Sequence, residues 1–186
     1  KRRQFEPPVV VGLRHLATLR QIEGDPSRGV RIGANMTLRE LERNTMLLSG
    51  YSAVAAAARS ISSPPLRTMA TIGGNLAVDT RCFYYDQTFE WRKSIDFCLK
   101  KDGDTCWVAP GSPRCWAVSS TDVAPVMLAL GARVHLVSNE GERVLDAAEM
   151  YNPDGITYLH KRPDEILTAI DLPPANGDVT VFRKLR

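Results

Sequence analysis

The chain lacks any apolar run that approaches the roughly 18 residues a membrane-spanning helix needs. It also lacks the pattern of charged and apolar regions typical of a secretory signal, so we expect a cytoplasmic location. Its 24 lysines and arginines stand against 21 acidic residues, and the net charge of +3 is spread along the chain. Without a basic stripe, the sequence argues against nucleic-acid binding as well as against a membrane role.

Two well-known phosphate-binding fingerprints are missing, the G-x-G-x-x-G loop and the P-loop with its Lys-Ser/Thr. The sequence has only three histidines, which are scattered, and shows no Ser-His-Asp or Cys-His pattern of a nucleophilic enzyme. We therefore predict no nucleophilic catalytic residue in this chain. Its 186 residues can bury a core without disulfide or metal cross-links.

Cysteine is also scarce, and its four positions fall in one interval, residues 80–118. The same interval holds all three tryptophans and most of the aromatic side chains. The clustered residues are Cys82, Cys98, Cys106, Cys115, Phe83, Tyr84, Tyr85, Phe89, Trp91, Phe97, Trp107 and Trp116. Composition therefore separates an aliphatic body from one aromatic, cysteine-bearing insert.

Four thiols can form two disulfides, bind a tetrahedral zinc ion or hold an iron–sulfur cluster. The absence of a secretion signal disfavours disulfides. Structural zinc usually uses closely spaced C-x2–4-C pairs, which this sequence does not contain. Cysteines that occur singly and far apart suit a loop that wraps around a group larger than one metal ion. Neighbouring aromatic rings would shield an iron–sulfur cluster from water. The spacing of the cysteines is therefore compatible with either a zinc ion or an iron–sulfur cluster.

A second candidate site is the segment Ala70-Thr71-Ile72-Gly73-Gly74-Asn75-Leu76. Paired glycines allow a tight turn and a close approach of the backbone to a ligand. Successive free N–H groups in such a turn would form an anion-binding nest, to which Thr71 and Asn75 add polar side chains. The pattern alone favours an ordinary turn and a phosphate or cofactor loop about equally.

Hairpins and isolated helices, rather than a regular βαβ alternation, indicate an α+β fold. Thr37 and Glu40 form a capping-box pattern before a short helix, and Ser119–Asp122 precede a helix that ends at Gly131. From local sequence, Asp122 is a helix cap and Lys184 a solvated charge. Strands are predicted at 9–11, 29–34, 133–138, 143–145, 166–170 and 179–182. Helical segments are predicted at 38–41, 51–61, 123–130 and 147–150, and a turn or short helix at 13–19.

The Gly-Gly-Asn segment, together with Arg59-Ser60-Ile61 before it and Ser120-Thr121-Asp122-x-x-Pro125 after it, resembles the FAD-binding medium subunit of the molybdenum hydroxylases. This is the xanthine dehydrogenase and CO dehydrogenase flavoprotein family. In most members only a few residues separate the two motifs, whereas here about 40 residues intervene and carry all four cysteines. Such an insert resembles that of the beta subunits of 4-hydroxybenzoyl-CoA reductases, which bind an extra 4Fe-4S cluster.

The resemblance implies a role for each matching residue. Thr71, Ile72, Gly73, Gly74 and Asn75 would contact FAD, Asp122 would hydrogen-bond the flavin, and Lys184 would occupy a basic flavin-domain position. Cys82, Cys98, Cys106 and Cys115 would be the four cluster ligands. The expected regions are 1–79 and 119–186 for FAD binding and 80–118 for the cluster. We also expect a fragment, because the family's upstream glycine-rich loop and C-terminal domain are absent.

The resemblance further implies an electron-transfer subunit that works beside a molybdopterin-binding large subunit and a 2Fe-2S small subunit, in a dimer of heterotrimers. The implied reaction is the reductive dehydroxylation of 4-hydroxybenzoyl-CoA to benzoyl-CoA, with electrons from a ferredoxin-type donor. Two alternatives stay open: the flavin subunit of an oxidising molybdenum hydroxylase, and a zinc-stapled domain without catalytic function.

Overall fold

A computed structural model describes residues 2–177 and 179–185. Within them, five antiparallel strands form one sheet in the order β1-β2-β5-β3-β4. The strands are β1 (Ile22–Asp25), β2 (Gly29–Gly33), β3 (Arg133–Ser138), β4 (Gly141–Asp146) and β5 (Ile166–Leu172). The last strand lies between β2 and β3, so the two hairpins are joined through a central strand that comes late in the chain.

Short helices occupy most of the segments between the strands. They are α1 (Leu38–Leu41), α2 (Thr45–Gly50), α3 (Ser52–Ser60), α4 (Pro64–Arg67), α5 (Ile72–Leu76), α6 (Phe89–Ser94) and α7 (Ala124–Ala129), with 3₁₀ turns at Ala17–Arg20 and Ala147–Met150. None of the helices in the described part of the chain is long and apolar enough to cross a membrane.

The chain divides into two compact units. We call the first the cysteine unit; it comprises residues 2–12, Val78–Ser120 and Tyr151–His160 and contains α6. The second, the sheet unit, comprises Leu13–Ala77, Thr121–Met150 and the described residues after 160, and it contains the sheet and the other helices. Residues 151–160 thus belong with a segment more than 30 positions earlier in the sequence.

The sheet unit owes its core to small side chains as much as to large ones. Along α3, Ala57 and Ala58 are completely buried, and their small volume lets this helix contact α1, α2 and α7 closely. Gly73 plays the same part in α5, because a Cβ there would lie 2.8 Å from the Cβ of Ala34 and 3.0 Å from its carbonyl oxygen.

Most predicted elements of the sheet unit are confirmed. The capping box of α1 is present in full, with Thr37 Oγ1 accepting from the Glu40 N–H and Glu40 accepting from the Thr37 N–H. The predicted hairpin is β3 and β4, paired from Arg133–Asp146 to Ser138–Gly141. The α+β prediction is confirmed by a purely antiparallel sheet with helices between its strands.

Two predicted strands are wrong. Val9, Val10 and Val11 are 72–83% exposed and have no regular structure, although three β-branched residues in a row are typical of a buried strand. Residues 179–182 also have no regular structure and pair with no strand of the described part of the chain. In both segments the sequence has strand propensity, but no neighbouring strand supplies the hydrogen bonds that stabilise a sheet.

A buried carboxylate in the sheet unit makes folding sensitive to acid. Glu165 accepts from the Arg143 guanidinium at 2.9 Å and from the Arg162 N–H at 2.6 Å. The Arg143 hydrogen bond is the main reason why the pKa of Glu165 falls to about 2, against the opposing effect of burial. Because this pKa is depressed in the folded state, ionised Glu165 stabilises the fold. This stabilisation is complete above pH 4.5 and is lost as the pH falls towards 2.

Glu165→Gln is therefore expected to lower the free energy of unfolding at neutral pH by on the order of 2–3 kcal/mol. Denaturant unfolding at several pH values between 7 and 2.5 checks this, and the difference between variant and wild type should shrink below pH 4.5. Glu140→Gln is the control, because Glu140 is exposed and its ion pair with Arg162 contributes little. Parallel curves for wild type and Glu165→Gln would contradict the prediction.

Candidate cofactor sites

The Gly-Gly-Asn segment is the first turn of α5 rather than an open turn. Thr71 is its N-cap and accepts from the Gly74 N–H at 3.1 Å. The Ile72 and Gly73 N–H groups donate to the carbonyls of Met36 and Ala34, and the Asn75 N–H donates to the carbonyl of Thr71. The predicted nest of free N–H groups is therefore wrong, because each of these groups already has an acceptor within the chain.

Within this segment the residues divide into buried and accessible positions. Ile72 and Gly73 are buried, so their contribution is to fix the segment against the sheet unit. Gly74 is exposed, and the nearest atom to a Cβ built there would be Thr71 Oγ1 at 3.0 Å. A ligand can thus approach the backbone at Gly74, where the Thr71 hydroxyl is the one neighbouring side-chain group.

Asn75 joins the two sequence motifs. Its Oδ1 atom accepts from Thr121 Oγ1 at 2.8 Å and from the Val123 N–H at 3.2 Å. Thr121 Oγ1 in turn accepts from the N–H of Ala124, the first residue of α7. No acceptor among the described residues lies within hydrogen-bond distance of the Asn75 amide nitrogen, which leaves that group able to donate to a ligand.

Asp122 does not cap α7, contrary to the local prediction. Its Oδ2 atom instead accepts from Lys184 Nζ at 2.6 Å, so Lys184 is not a solvated charge either. The two side chains are 19% and 30% exposed and line a cavity of about 540 Å³. The rest of its wall is mostly apolar and includes Ala53, Pro125 and Val126.

A second cavity, of about 400 Å³, opens beside Thr71. It is lined by polar and basic side chains as well as by apolar ones: Leu13, Arg14, Arg20, Asn35, Thr37, Thr68, Met69 and Thr71. Arg14 makes this cavity suitable for an anionic group, whereas the Arg20 guanidinium is already paired with Glu40 at 2.6 Å, and the hydroxyl groups add hydrogen-bond partners. The sequence does not predict that Arg14 and Arg20 line a cavity, because neither arginine belongs to a recognisable motif.

All four cysteines line one small cavity of the cysteine unit, with a volume of about 10 Å³. Cys98, Cys106 and Cys115 are buried and Cys82 is partly exposed, and all four are free thiols. The cavity is also lined by Tyr84, Tyr85, Leu99, Lys100, Trp107 and Val108. Cysteines that are 16, 8 and 9 positions apart in the sequence thus lie around a common centre.

Local backbone geometry turns the chain sharply near each cysteine. The insert is closed at its base by the paired backbones of Arg81 and Val118, with N–H···O distances of 2.7 and 2.9 Å. Asp96 and Phe97 both have positive φ angles, of 60° and 57°, directly before Cys98. Such conformations are unfavourable for residues with side chains and must be stabilised by the surrounding fold. The Trp107 indole N–H donates to the Phe97 carbonyl and holds this turn.

Gly155 completes the cavity although it lies outside the insert in sequence. A Cβ at this position would lie 2.8 Å from Cys115 Sγ and 2.8 Å from both the Cβ and the nitrogen of Ala117. Its N–H donates to the Cys115 carbonyl, and its own carbonyl accepts from Thr80 Oγ1 and Lys100 Nζ. The sequence Asn152-Pro153-Asp154-Gly155 predicts only a turn, so its contact with a cysteine carried no signal.

The electrostatics of the cavity are set by burial and by one lysine. Burial raises the pKa of the Cys115 thiol, and the neighbouring Cys106 and Cys82 raise it further. The Ala117 N–H, which donates to Cys115 Sγ at 3.4 Å, and the Lys100 ammonium act in the opposite direction. These two groups favour the thiolate, which is the form that binds metals.

Residues 1–175 match the family described as the FAD binding domain in molybdopterin dehydrogenase. The chain belongs to this family. It therefore carries a FAD-binding domain, in agreement with the resemblance inferred from its two motifs.

Curated relatives place the same domain in multisubunit enzymes. The chain is 31% identical over 177 residues to the aldehyde oxidoreductase FAD-binding subunit PaoB of Escherichia coli K12, covering 90% of this chain and 56% of the relative. It is 28% identical over 187 residues to the carbon monoxide dehydrogenase medium chain of Afipia carboxidovorans, covering 100% of this chain and 51% of the relative. The chain thus spans slightly more than half the length of these curated relatives.

The fold agrees with the family assignment. A structure of reconstituted CO dehydrogenase from Oligotropha carboxidovorans superposes with a TM-score of 0.58 at 25% identity, covering 84% of this chain and 41% of that one. The flavoprotein-type fold predicted from the motifs is therefore confirmed for the FAD-binding domain.

The accessible groups of the sheet unit fit a flavin cofactor. The exposed backbone at Gly74 allows a ligand to approach closely, and the amide nitrogen of Asn75 is a hydrogen-bond donor. Asp122 and Lys184 add a charged pair. The cavity volumes of about 400 and 540 Å³ lie within the range usual for cofactor sites. The roles assigned to individual residues stay predictions.

The chemistry of the cysteine cavity fits a metal centre with four sulfur ligands. Zinc requires its thiolate sulfurs at about 2.3 Å from one point. Among the described residues, which include all four cysteines, no set of three or more His, Cys, Asp and Glu side chains is arranged to hold a single ion. Four thiols around one cavity, in a wall that includes the aromatic rings of Tyr84, Tyr85 and Trp107, supply the ligand set of an iron–sulfur cluster and also that of a four-cysteine zinc site.

Proposed function

We propose that this chain is part of the electron-transfer subunit of a molybdenum enzyme and that it binds both FAD and a 4Fe-4S cluster. The observation that carries the proposal is the common cavity of Cys82, Cys98, Cys106 and Cys115 in a chain of the FAD-binding family. FAD exchanges electrons singly or in pairs and a 4Fe-4S cluster exchanges them singly, so together they supply redox chemistry that no side chain offers.

The chain's own contribution to FAD binding is to present polar groups without obstruction. Gly74 leaves space at the backbone, the Asn75 amide donates a hydrogen bond, and Asp122 accepts one while Lys184 offsets its charge. The hydrogen bonds from Thr121 and Val123 to Asn75 fix the orientation of its amide, so that the nitrogen faces away from α7.

The chain's contribution to the cluster is to gather four thiolates and to exclude water. Cys98, Cys106 and Cys115 are each at most 6% exposed. Tyr85 is 3% exposed and forms part of the wall, whereas Trp107 is 38% exposed and lies at its outer side. Burial of the sulfurs and the N–H···S hydrogen bond from Ala117 are two of the factors that tune the potential of such clusters.

For the complete enzyme we propose an oxidoreductase whose molybdenum site lies on a different subunit. The likeness to a relative named as an aldehyde oxidoreductase subunit, and to others named as CO and xanthine dehydrogenase subunits, supports oxidation of a small substrate. A molybdopterin-binding large subunit and a 2Fe-2S small subunit are the partners this proposal requires.

The four-cysteine insert specifically supports a second candidate, the reductive dehydroxylation of 4-hydroxybenzoyl-CoA with a ferredoxin-type donor. Turnover of the purified complex separates the two. An aldehyde with an artificial electron acceptor tests the oxidation of a small substrate. 4-Hydroxybenzoyl-CoA with a strong reductant tests the reductive dehydroxylation. Activity with one pair and not the other decides the direction of the reaction.

The cofactor content of the complete subunit, purified anaerobically with its partners, tests the core proposal. We expect one FAD and about four iron atoms with matching acid-labile sulfide per subunit, after subtracting the iron of the separable 2Fe-2S subunit. Cys106→Ser should lower the iron of this subunit by at least about half while FAD content stays unchanged. One zinc and no iron would contradict the proposal and support the zinc-stapled alternative.

A further inference from the structure

A lysine ammonium is buried in the wall of the cysteine cavity. The Lys100 side chain is only 6% exposed, although lysine is almost never buried unless it is paired. It lines the same cavity as the four cysteines and is the only lysine or arginine among the described lining residues. From local sequence alone, Lys100 and its neighbour Lys101 would both be expected to extend into solvent, so the burial of the Lys100 side chain calls for a physical reason.

Every donor of the ammonium is used, which fixes its position. Lys100 Nζ donates to Asp79 Oδ1 at 2.9 Å, to Thr80 Oγ1 at 2.7 Å and to the Gly155 carbonyl at 2.6 Å. The nitrogen also lies 4.9 Å from the ring centroid of Tyr85 and 5.4 Å from that of Tyr158. An ammonium group has three N–H donors, so this set of partners is complete.

The balance of charge around the cavity explains the burial. Asp79 is 29% exposed, pairs with the ammonium at 2.9 Å and does not itself line the cavity. The four thiolates of a bound cluster outweigh the positive charge of its iron–sulfur core, so the whole group is net negative, and a low-dielectric wall strengthens its interaction with a neighbouring cation. A single fixed positive charge at this wall therefore offsets part of a concentrated negative charge.

We propose that Lys100 is a positioning residue that raises the reduction potential of the cluster held by the four cysteines. The inference rests on the proposed function, since it requires a cluster in this cavity. Reduction adds one negative charge, and a fixed cation nearby stabilises the reduced state more than the oxidised state. The hydrogen bonds to Asp79, Thr80 and Gly155 keep the charge at a constant distance.

The test is a redox titration of the complete subunit in its complex, followed by electron paramagnetic resonance, for wild type, Lys100→Met and Lys100→Arg. We expect Lys100→Met to lower the equilibrium constant for reduction about tenfold, which is about 59 mV for a one-electron couple. Lys100→Arg, which keeps the charge, should restore most of this loss. An unchanged potential in Lys100→Met, with iron content intact, would overturn the inference.

Asp79→Asn provides a variant that leaves the lysine in place. It removes the partly exposed counter-charge, so we expect the potential to shift in the positive direction, opposite to Lys100→Met. Lys100→Met could fail to incorporate iron. In that case, normal iron content in Lys100→Arg together with a positive shift of the reduction potential in Asp79→Asn supports the charge effect. Loss of iron in both lysine variants, or no shift in Asp79→Asn, overturns it. A wild-type subunit without iron would instead refute the proposed function itself.

Discussion

Replacing Gly155 with valine is expected to abolish the iron content of the subunit. The new Cβ would lie 2.8 Å from Cys115 Sγ and equally close to Ala117, so either the sulfur or the backbone at residue 155 must move. Movement of the backbone would also disturb the carbonyl that accepts from Lys100. Because cluster ligation tolerates little displacement of a sulfur, we expect iron and acid-labile sulfide to fall more than tenfold.

Iron, sulfide and flavin should be measured on the same purified complex, since the prediction is specific to the cysteine unit. FAD content is expected to stay near the wild-type value. Gly111→Val is the matched control, because no atom of the described chain lies within 4 Å of a Cβ at Gly111. Full iron loading in Gly155→Val, or equal losses in the two variants, would show that Gly155 does not shape the cavity.

Asn75→Asp is expected to weaken FAD binding about a hundredfold without unfolding the sheet unit. Aspartate keeps an oxygen that can accept from Thr121 and Val123, so the connection to α7 survives. The same change replaces the free amide donor by a second oxygen and adds a negative charge beside Asp122. Loss of a hydrogen bond to a charged ligand and repulsion of the FAD diphosphate together correspond to about 3 kcal/mol.

Flavin retention after gel filtration, followed by titration of the flavin-free complex with FAD, measures this effect. Asn44→Asp is the control, since Asn44 Oδ1 caps α2 in the same way, by accepting from the Leu47 N–H at 3.1 Å. Its flavin content should be unchanged. Should Asn75→Asp bind FAD as tightly as wild type, the amide of Asn75 is not a flavin contact.

Local sequence signals predicted the sheet unit well where they act within a few residues. The capping box at Thr37 and Glu40 and the hairpin after Ser138 depend on contacts three to six positions apart, and both are confirmed. The helix α6 was missed, because its aromatic side chains hide the usual apolar periodicity; only its N-cap Thr88, which accepts from the Trp91 N–H, signals it.

Features that depend on distant partners could not be predicted. Nothing near Gly155 in sequence indicates that it contacts Cys115, and nothing near Lys100 indicates that its ammonium is enclosed. The Gly-Gly pair predicted a turn with free N–H groups, yet the carbonyls of Met36 and Ala34 accept from that segment. The hydrogen bond between Asn75 and Thr121 likewise had no local signal, because about 45 positions separate the two residues.

The paired backbones of Arg81 and Val118 suggest at first that the cysteine insert is a self-contained cassette. A loop whose two ends already meet can be added to a host domain at a small entropic cost. However, the carbonyl that Lys100 needs belongs to Gly155, which the cassette does not include. Grafting residues 78–120 onto a related flavin domain would therefore transfer the thiols but not their electrostatic setting, and a functional transplant would have to carry residues 151–160 as well.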